Sequence, residues 1–288
     1  MATANLTTKE VARLLHVSEA TVKRWADDGA LRSQKTVGGH RRFSIQAIAR
    51  LRRERGIGAQ TNLSGAGRKK ATTKPLVSTA TFLDLILRGD DLEASAALID
   101  AYLHHHTLAS LFDTTITKAM HEVGELWQRG DITVADEHLA TRVVLGAIQR
   151  LRAIIVPAET TGLKAICCGI EGDLHELPVH LAEMILESEG WEVMNLGPNT
   201  PLFALSDMVK QKRAQLVCIS GRTLADLDRA AIEYGQLRKV TAKLDAAVVV
   251  GGEAFRDPIL RARFPAQLYA TDFEAVSKFA RALAKKKG

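Results

Sequence analysis

Two groups of residues in this chain of 288 residues have types and spacing that suit chemistry. The first is Asp173-Leu174-His175, with Ser220 and Gly251-Gly252 following it. An Asp-x-His pair in a loop has two readings. Either a carboxylate orients an imidazole, fixing its tautomer and raising its basicity, or the histidine only satisfies backbone groups. The second group is cationic: Lys23, Arg24, Arg41 and Arg42, with Thr21 and His40 among them. Residues 1–75 hold 16 Lys and Arg against 5 Asp and Glu, a net +11, so the rest of a chain of net charge +6 carries −5. A polyanion is therefore expected at the basic end, although Arg68-Lys69-Lys70 reads equally well as a solvated tail.

The elements that must position the first group alternate from Lys164 onward. Strands are expected at 165–170, 191–196, 216–220 and 246–250, with helices at 179–190, 201–213 and 224–237 and a last one from Phe273. That order predicts a doubly wound parallel sheet of flavodoxin-like type, in which ligands bind beyond the carboxyl ends of the strands. Asp173 and His175 follow the first strand, Ser220 ends the third, and Gly251-Gly252 follow the fourth, so three loops converge on one edge.

The order Asp-x-His-x-x, Ser-x-x, Gly-Gly resembles the base-off, His-on cobalamin-binding motif shared by methionine synthase and the corrinoid-dependent mutases. Between Pro178 and Ser220 lie 41 residues, and between Arg222 and Gly251 lie 28, both typical of that motif. The resemblance implies that His175 ligates cobalt from below while Asp173 orients it. It also implies that Ser220 lines a slot for the displaced nucleotide tail, which Gly251-Gly252 keep open by lacking side chains. Pro178 stands where the motif has Gly. Proline has more bulk and no donor but is acceptable in a helix's first turn, which leaves open how the His175 loop sits beneath the corrin.

At the basic end, Thr7 with Glu10 forms a capping pair ahead of apolar Val11, Leu14 and Leu15, and Ser18 can cap a second helix over 19–28. Its inward residues are expected to be Ala20, Val22 and Trp25, leaving Thr21, Lys23 and Arg24 outward for a major groove. A strand, the turn Gly38-Gly39-His40 and the strand Arg41-Arg42-Phe43 complete a hairpin, whose arginines would clamp a phosphate or enter a minor groove. These features over residues 5–56 closely resemble the winged helix-turn-helix DNA-binding domain of the MerR family. Members of that family bind palindromic double-stranded operators as dimers, which implies self-association here.

Residues 58–78 are poor in large apolar side chains and read as a flexible linker. From Thr79 helical periodicity returns, with breaks near 88–90 and 129–131, giving a bundle of about four helices. A bundle Trp usually fills the core, and a Glu-His pair on a helix usually faces solvent. Yet the spacing of Trp127 to Glu137-His138 resembles the cobalamin-binding bundle of the CarH-type light-dependent regulators. By that resemblance Trp127, Val134, Glu137 and His138 surround an adenosyl group on cobalt. Where those regulators commonly have a His directly after the Trp, this chain has Gln128, a poor cobalt ligand. The light-exposed state then lacks a bis-histidine adduct unless another His, such as His138, serves. The triple His104-His105-His106 reads as a helix-end cluster, because adjacent helical side chains diverge.

No apolar run reaches the roughly 18 residues of a membrane span. The start MATANLTTKE is not leader-like, and three cysteines, two adjacent in a strand, fit a reducing cytoplasm without disulfides. The expected division is a winged domain over 1–57, a linker over 58–78, a helical bundle over 79–160 and a Rossmann-like cobalamin domain over 161–288. The expected function is a non-enzymatic, light-responsive repressor that binds DNA as a dimer or tetramer and holds adenosylcobalamin. Two alternatives stand beside it: a sensor of cobalamin availability or of another tetrapyrrole such as haem or a bilin, and a corrinoid methyltransferase or mutase module.

Overall fold

The computed structural model describes residues 5–15, 17–36, 38–44, 47, 48, 51, 78–104, 107–155 and 158–288. The linker expected over 58–78, apart from Ser78, and His105 and His106 of the histidine run lie outside them. The chain divides into two compact units, Met1–Thr107 with Thr114–Val156 and Leu108–Asp113 with Pro157–Gly288.

In the first unit, β1 (Asn5–Thr7) leads into α1 (Thr8–Leu14) and α2 (Glu19–Asp27), followed by β2 (Gln34–Lys35) and β3 (Arg41–Ser44). The start of α1 is closed reciprocally: Glu10 accepts from the Thr7 backbone N–H at 2.7 Å, and Thr7 Oγ1 accepts from the Glu10 N–H at 3.2 Å. Ser18 caps α2 by accepting from the Thr21 N–H. Val11, Leu15, Val22, Trp25, Leu31, Phe43, Ile48 and Leu51 close one core. The wing is a three-stranded antiparallel sheet, order β1-β3-β2, with Leu6 opposite Phe43. Ala20, expected inward, is exposed. Val22 and Trp25 are three positions apart and share a face, whereas two positions along a helix is a turn of about 200°. Three residues of β1 are too few for a period-two pattern to announce a strand.

The bundle comprises α3 (Thr79–Leu87), α4 (Asp91–His104), α6 (Thr117–Arg129) and α7 (Val134–Arg152). Gly130, at φ 76°, ends α6, and Thr133 with Asp136 forms the capping box that starts α7. Phe82, Ile86, Leu98, Val123, Val144, Ile148 and Leu151 are buried within it. Arg150 ties α7 to α4, reaching Asp91 at 2.6 Å and Ser95 Oγ at 2.9 Å.

The second unit is a five-stranded, all-parallel sheet: β4 (Lys164–Gly169), β5 (Glu192–Asn195), β6 (Leu216–Ser220), β7 (Ala247–Gly251) and β8 (Leu268–Ala270), in spatial order β5-β4-β6-β7-β8. The helices are α8 (Leu177–Ser188), α9 (Leu202–Lys212), α10 (Leu227–Lys243), α11 (Pro258–Arg263) and α12 (Phe273–Lys287). This is the flavodoxin-like order, and it reverses between β4 and β6. Ile166, Cys168, Ile170, Val217, Ile219, Val248 and Val250 pack on one face against Leu205, Val209, Tyr234 and Leu237 of α9 and α10. The intervening residues turn to the other face, where Cys167 and Cys218 stand opposite in register. All three cysteines are free and buried, and burial pushes the Cys168 thiol up to about 12. They behave as small apolar side chains.

The short helix α5 (Leu108–Leu111) packs with this unit, and the turn after it seals the start of α12. Asp113 accepts from the Phe273 and Glu274 N–H groups at 2.8 and 3.0 Å, while Asp272 accepts from Ala275 at 2.7 Å. Burial nonetheless holds the Asp113 carboxyl above the usual carboxylate range.

Two glycines separate packing from propensity. Gly252 has φ 99°, and a Cβ there would lie 2.4 Å from the Gly221 carbonyl oxygen, whereas exposed Gly235 inside α10 has nothing within 4 Å of such an atom. Gly252→Ala is expected to lower stability by about 2 kcal/mol or more, and Gly235→Ala to raise it by about 0.5 to 1 kcal/mol. Urea unfolding of the two variants against the parent measures both; equal effects of one sign would contradict the backbone apposition.

Candidate functional site

The carboxyl ends of β4 and β6 flank the point where strand order reverses, and the chain leaving β4 turns there through Ile170–Glu176. Asp173 is only 1% exposed. Its Oδ1 accepts from the His175 backbone N–H at 3.0 Å and stands 2.6 Å from His175 Nδ1, and its Oδ2 accepts from the Arg222 backbone N–H at 2.6 Å. Burial opposes its ionisation. The hydrogen bonds from His175 and Arg222 outweigh that and hold its carboxyl below the ordinary value. An ionised carboxylate at Oδ1 makes Nδ1 the donor of the pair, which leaves Nε2 to face outward. The His175 side chain is 48% exposed, and Nε2 has no partner among the described residues.

The surrounding loops hold this pair in place. Gly172, at φ 86°, brings its backbone against Ala225, where a Cβ would lie 2.5 Å from the Ala225 Cβ. Its N–H donates to Asn199 Oδ1 at 2.8 Å, the Asn199 N–H donates to the Asp173 carbonyl at 2.9 Å, and Glu171 pairs with Arg229 at 2.7 Å. Pro178 lies in the first turn of α8, which starts at Leu177, two residues before the expected start. No intrahelical bond is asked of its missing N–H there, so the departure from the motif costs the helix nothing.

Ser220 stands in register between Gly169 and Gly251, and its carbonyl accepts from the Ile170 N–H at 2.8 Å. The structure thus brings Asp173, His175, Ser220, Gly251 and Gly252 to one edge of one sheet. Gly252 has a packing reason of its own in its seat on Gly221, and a Cβ on Gly251 would make only ordinary contact with Ala270. The donor set fits a cobalt-bearing corrinoid: a carboxylate-oriented imidazole whose second nitrogen has no partner among the described residues, among glycine-lined loops. The backbone donor of Arg222 was missed from sequence because no residue type marks a main-chain N–H as a partner.

In the bundle, Trp127 is 46% exposed and Val134 is 53% exposed, so Trp127 does not fill the core as a bundle Trp ordinarily would. Glu137 accepts from Thr141 Oγ1 at 3.1 Å, and His138 Nε2 lies 3.6 Å from Glu137. All four residues flank the connection from α6 to α7.

In the winged domain, Lys23 and Arg24 are exposed on α2, and Thr21 has its hydroxyl 2.9 Å from Ser18. Arg41, expected to clamp a phosphate, is also engaged within the fold. Its guanidinium is bound to the Asp27 carboxylate and donates to the Lys23 carbonyl at 3.1 Å, which braces the wing against α2. The Arg41 hydrogen bond holds Asp27 below its usual value. Arg42 has no such tie among the described residues. It lines a groove of about 500 Å³ with Arg32, Ser33, Gln34 and Ser44, none of which the hairpin motif singled out. His40 is exposed at the turn, its N–H on Thr36 Oγ1 at 3.2 Å.

Residues 6–56 match a helix-turn-helix domain model, and residues 79–152 match a B12-binding domain model. The chain is 26% identical over 262 residues to the HTH-type transcriptional repressor CarA of Myxococcus xanthus, covering 86% of this chain and 87% of that protein. It is 28% identical over 149 residues to dimethylamine corrinoid protein 1 of Methanosarcina mazei, covering 50% of this chain and 68% of that one. The monomethylamine corrinoid protein of Methanosarcina barkeri has a similar fold, with a TM-score of 0.58 at 14% identity over 70% of this chain and 96% of that one. No helix among the described residues is long and apolar enough to cross a membrane.

Replacing Asp173 by Ala leaves two backbone N–H groups in part-buried positions without their acceptor, and a loss of about 2 kcal/mol is expected. Because the folded carboxyl titrates below its unfolded value of about 3.9, this contribution is complete above that pH and is lost as pH falls through the folded value. Urea unfolding at pH 7 and at pH 3 checks both statements: the gap between parent and variant narrows at pH 3, and a constant gap contradicts the ionised acceptor.

Proposed function

From a helix-turn-helix domain joined to a B12-binding domain, the make-up of a CarH-type cobalamin-binding transcription regulator, we propose that this chain is a light-responsive repressor loaded with adenosylcobalamin. The observation that carries the reading is the Asp173–His175 pair at the switch point of the sheet, with Nε2 of His175 unpartnered. When bound, adenosylcobalamin supplies a cobalt–carbon bond that light breaks.

His175 would hold the cobalt through Nε2, with Asp173 orienting the imidazole through Nδ1. Ser220, Gly251 and Gly252 border the slot for the nucleotide tail. Trp127, Val134, Glu137 and His138 cover the adenosyl face, which gives their exposure a purpose. Thr21, Lys23 and Arg24 enter the major groove from α2, and His40 and Arg42 reach DNA from the wing that Arg41 braces. The protein acts in the cytoplasm as a dimer or tetramer, so that several winged domains engage one operator and gain avidity. Loss of the adenosyl group would remove contacts that Trp127, Val134, Glu137 and His138 make to it, and with them the preference for the assembled form on which repression depends. The four domain bounds follow the reading from sequence: 1–57, 58–78, 79–160 and 161–288.

A second reading, a corrinoid carrier in methyl transfer, draws on the likeness of half the chain to a dimethylamine corrinoid protein. The fused helix-turn-helix domain favours the regulator. With Gln128 beside Trp127, the same pocket is also open to sensing cobalamin itself, or haem or a bilin, rather than light.

Absorption spectra of the protein loaded with each tetrapyrrole, in darkness and after green light, discriminate these readings. Adenosylcobalamin is expected to bind base-off, and His175→Ala to lose that spectrum and at least tenfold in affinity. Sedimentation of the loaded protein before and after illumination is expected to show a fall in mass. An unchanged mass removes the light-responsive part, and no corrinoid spectrum at all removes the cofactor reading.

A further inference from the structure

The loop after β6 carries a cation, Arg222, that no group among the described residues neutralises. The Arg222 backbone N–H is fixed to Asp173 Oδ2 at 2.6 Å, so its Cα is held beside the Asp173–His175 pair. The loop is fixed on both sides: a Cβ on Gly221 would lie 2.9 Å from the Phe255 ring and 3.1 Å from Ile170, and Gly252 rests on the Gly221 backbone. Nearby cations are engaged. Arg229 pairs with Glu171 at 2.7 Å, Arg263 with Asp228 at 2.7 Å, and Arg261 donates to the Phe255 carbonyl at 2.6 Å while stacking over Tyr269. Arg222 is exposed, and its guanidinium makes no hydrogen bond or ion pair among the described residues. A guanidinium with five donors in a planar fork is matched by a phosphate, which it can grip through two parallel bonds.

Resting on the corrinoid reading of this site, we propose that Arg222 anchors the phosphodiester of the cofactor's nucleotide tail and so selects complete cobalamin over corrinoids that lack the tail. Its backbone and side chain then have separate tasks. The N–H orients Asp173 and through it His175, while the guanidinium binds the anion two residues beyond Ser220, where the slot for the tail opens. Because the position is exposed, the contact weakens as salt rises.

Cobinamide, which has the corrin ring but neither phosphate, ribose nor base, separates this contact from cobalt ligation. Equilibrium binding followed by corrin absorbance would be measured for cobalamin and cobinamide with the full-length parent, Arg222→Ala, Arg222→Lys and His175→Ala. Arg222→Ala is expected to weaken cobalamin about tenfold or more and leave cobinamide within about twofold; such a loss is within reach of one charge-assisted pair. Arg222→Lys, which keeps the charge and loses the fork, falls between, and His175→Ala weakens both ligands. Both Arg222 variants retain the N–H that Asp173 needs, and circular dichroism confirms that they fold. Cobalamin binding unchanged in Arg222→Ala, or an equal loss for both ligands, overturns the phosphate anchor while leaving the site intact. Failure of the parent to bind either ligand overturns the corrinoid reading, and the anchor with it.

Discussion

A carboxylate kept almost wholly out of water has to be matched donor for donor, and Asp173 imposes that requirement on the second unit. An unmatched charge there would cost several kcal/mol, so the loops that border it are arranged to deliver N–H groups. Two donors come from His175, two residues along the same loop, and one from Arg222, on a different strand's loop. The carboxylate therefore joins the ends of β4 and β6 at the gap where strand order reverses. A histidine on a free loop would sample many rotamers; this one shares a 2.6 Å contact with a buried, ionised partner and is oriented before any ligand arrives.

That matching depends on close backbone approach, which the glycines make possible. Gly172 against Ala225 and Gly252 against Gly221 each bring main chains nearer than any side chain permits, at positive φ that other residues adopt only under strain. The glycine pair at the end of β7 thus acts one step away from the site. It holds Gly221, and Gly221 precedes the residue whose N–H completes the shell around Asp173. Asn199 does similar work from the β5 side, its side-chain oxygen accepting from the Gly172 N–H while its backbone N–H donates to the Asp173 carbonyl.

Much of this arrangement was legible in the sequence, because period and punctuation carry it. The apolar runs at 165–170 and 216–220 announced parallel strands, and β6 has the expected bounds of Leu216–Ser220. Breaks near Gly89 and Gly130 divided the bundle, and both glycines adopt positive φ. Features made by backbone or by distance were not legible. The fifth strand, Leu268–Ala270, is three residues long and shows no alternation, and β1 is equally short. Arg41 and Arg42 are adjacent and chemically identical in sequence. Only the fold distinguishes them, since Asp27 and the Lys23 carbonyl converge on the first and not on the second.

The same contrast between satisfied and unsatisfied groups gives the surfaces their meaning. Each unit on its own leaves large apolar side chains in water beside polar groups of suitable chemistry: Trp127 and Val134 at the connection from α6 to α7, and Leu174, 75% exposed, between Asp173 and His175. A single exposed apolar residue needs no explanation, but Leu174, next in sequence to a preoriented imidazole, marks a surface of the second unit built to be covered. A flat, largely apolar macrocycle with a metal at its centre would meet both demands of that loop, giving Nε2 a metal to bind and Leu174 a face to bury. DNA makes the complementary demand on the winged domain, where Lys23 and Arg24 stand exposed on a helix whose other cationic neighbour, Arg41, is already committed to holding the wing. Lys23 and Arg24 thus stand exposed on the surface of this domain, while Arg41 is fixed within the fold beneath them.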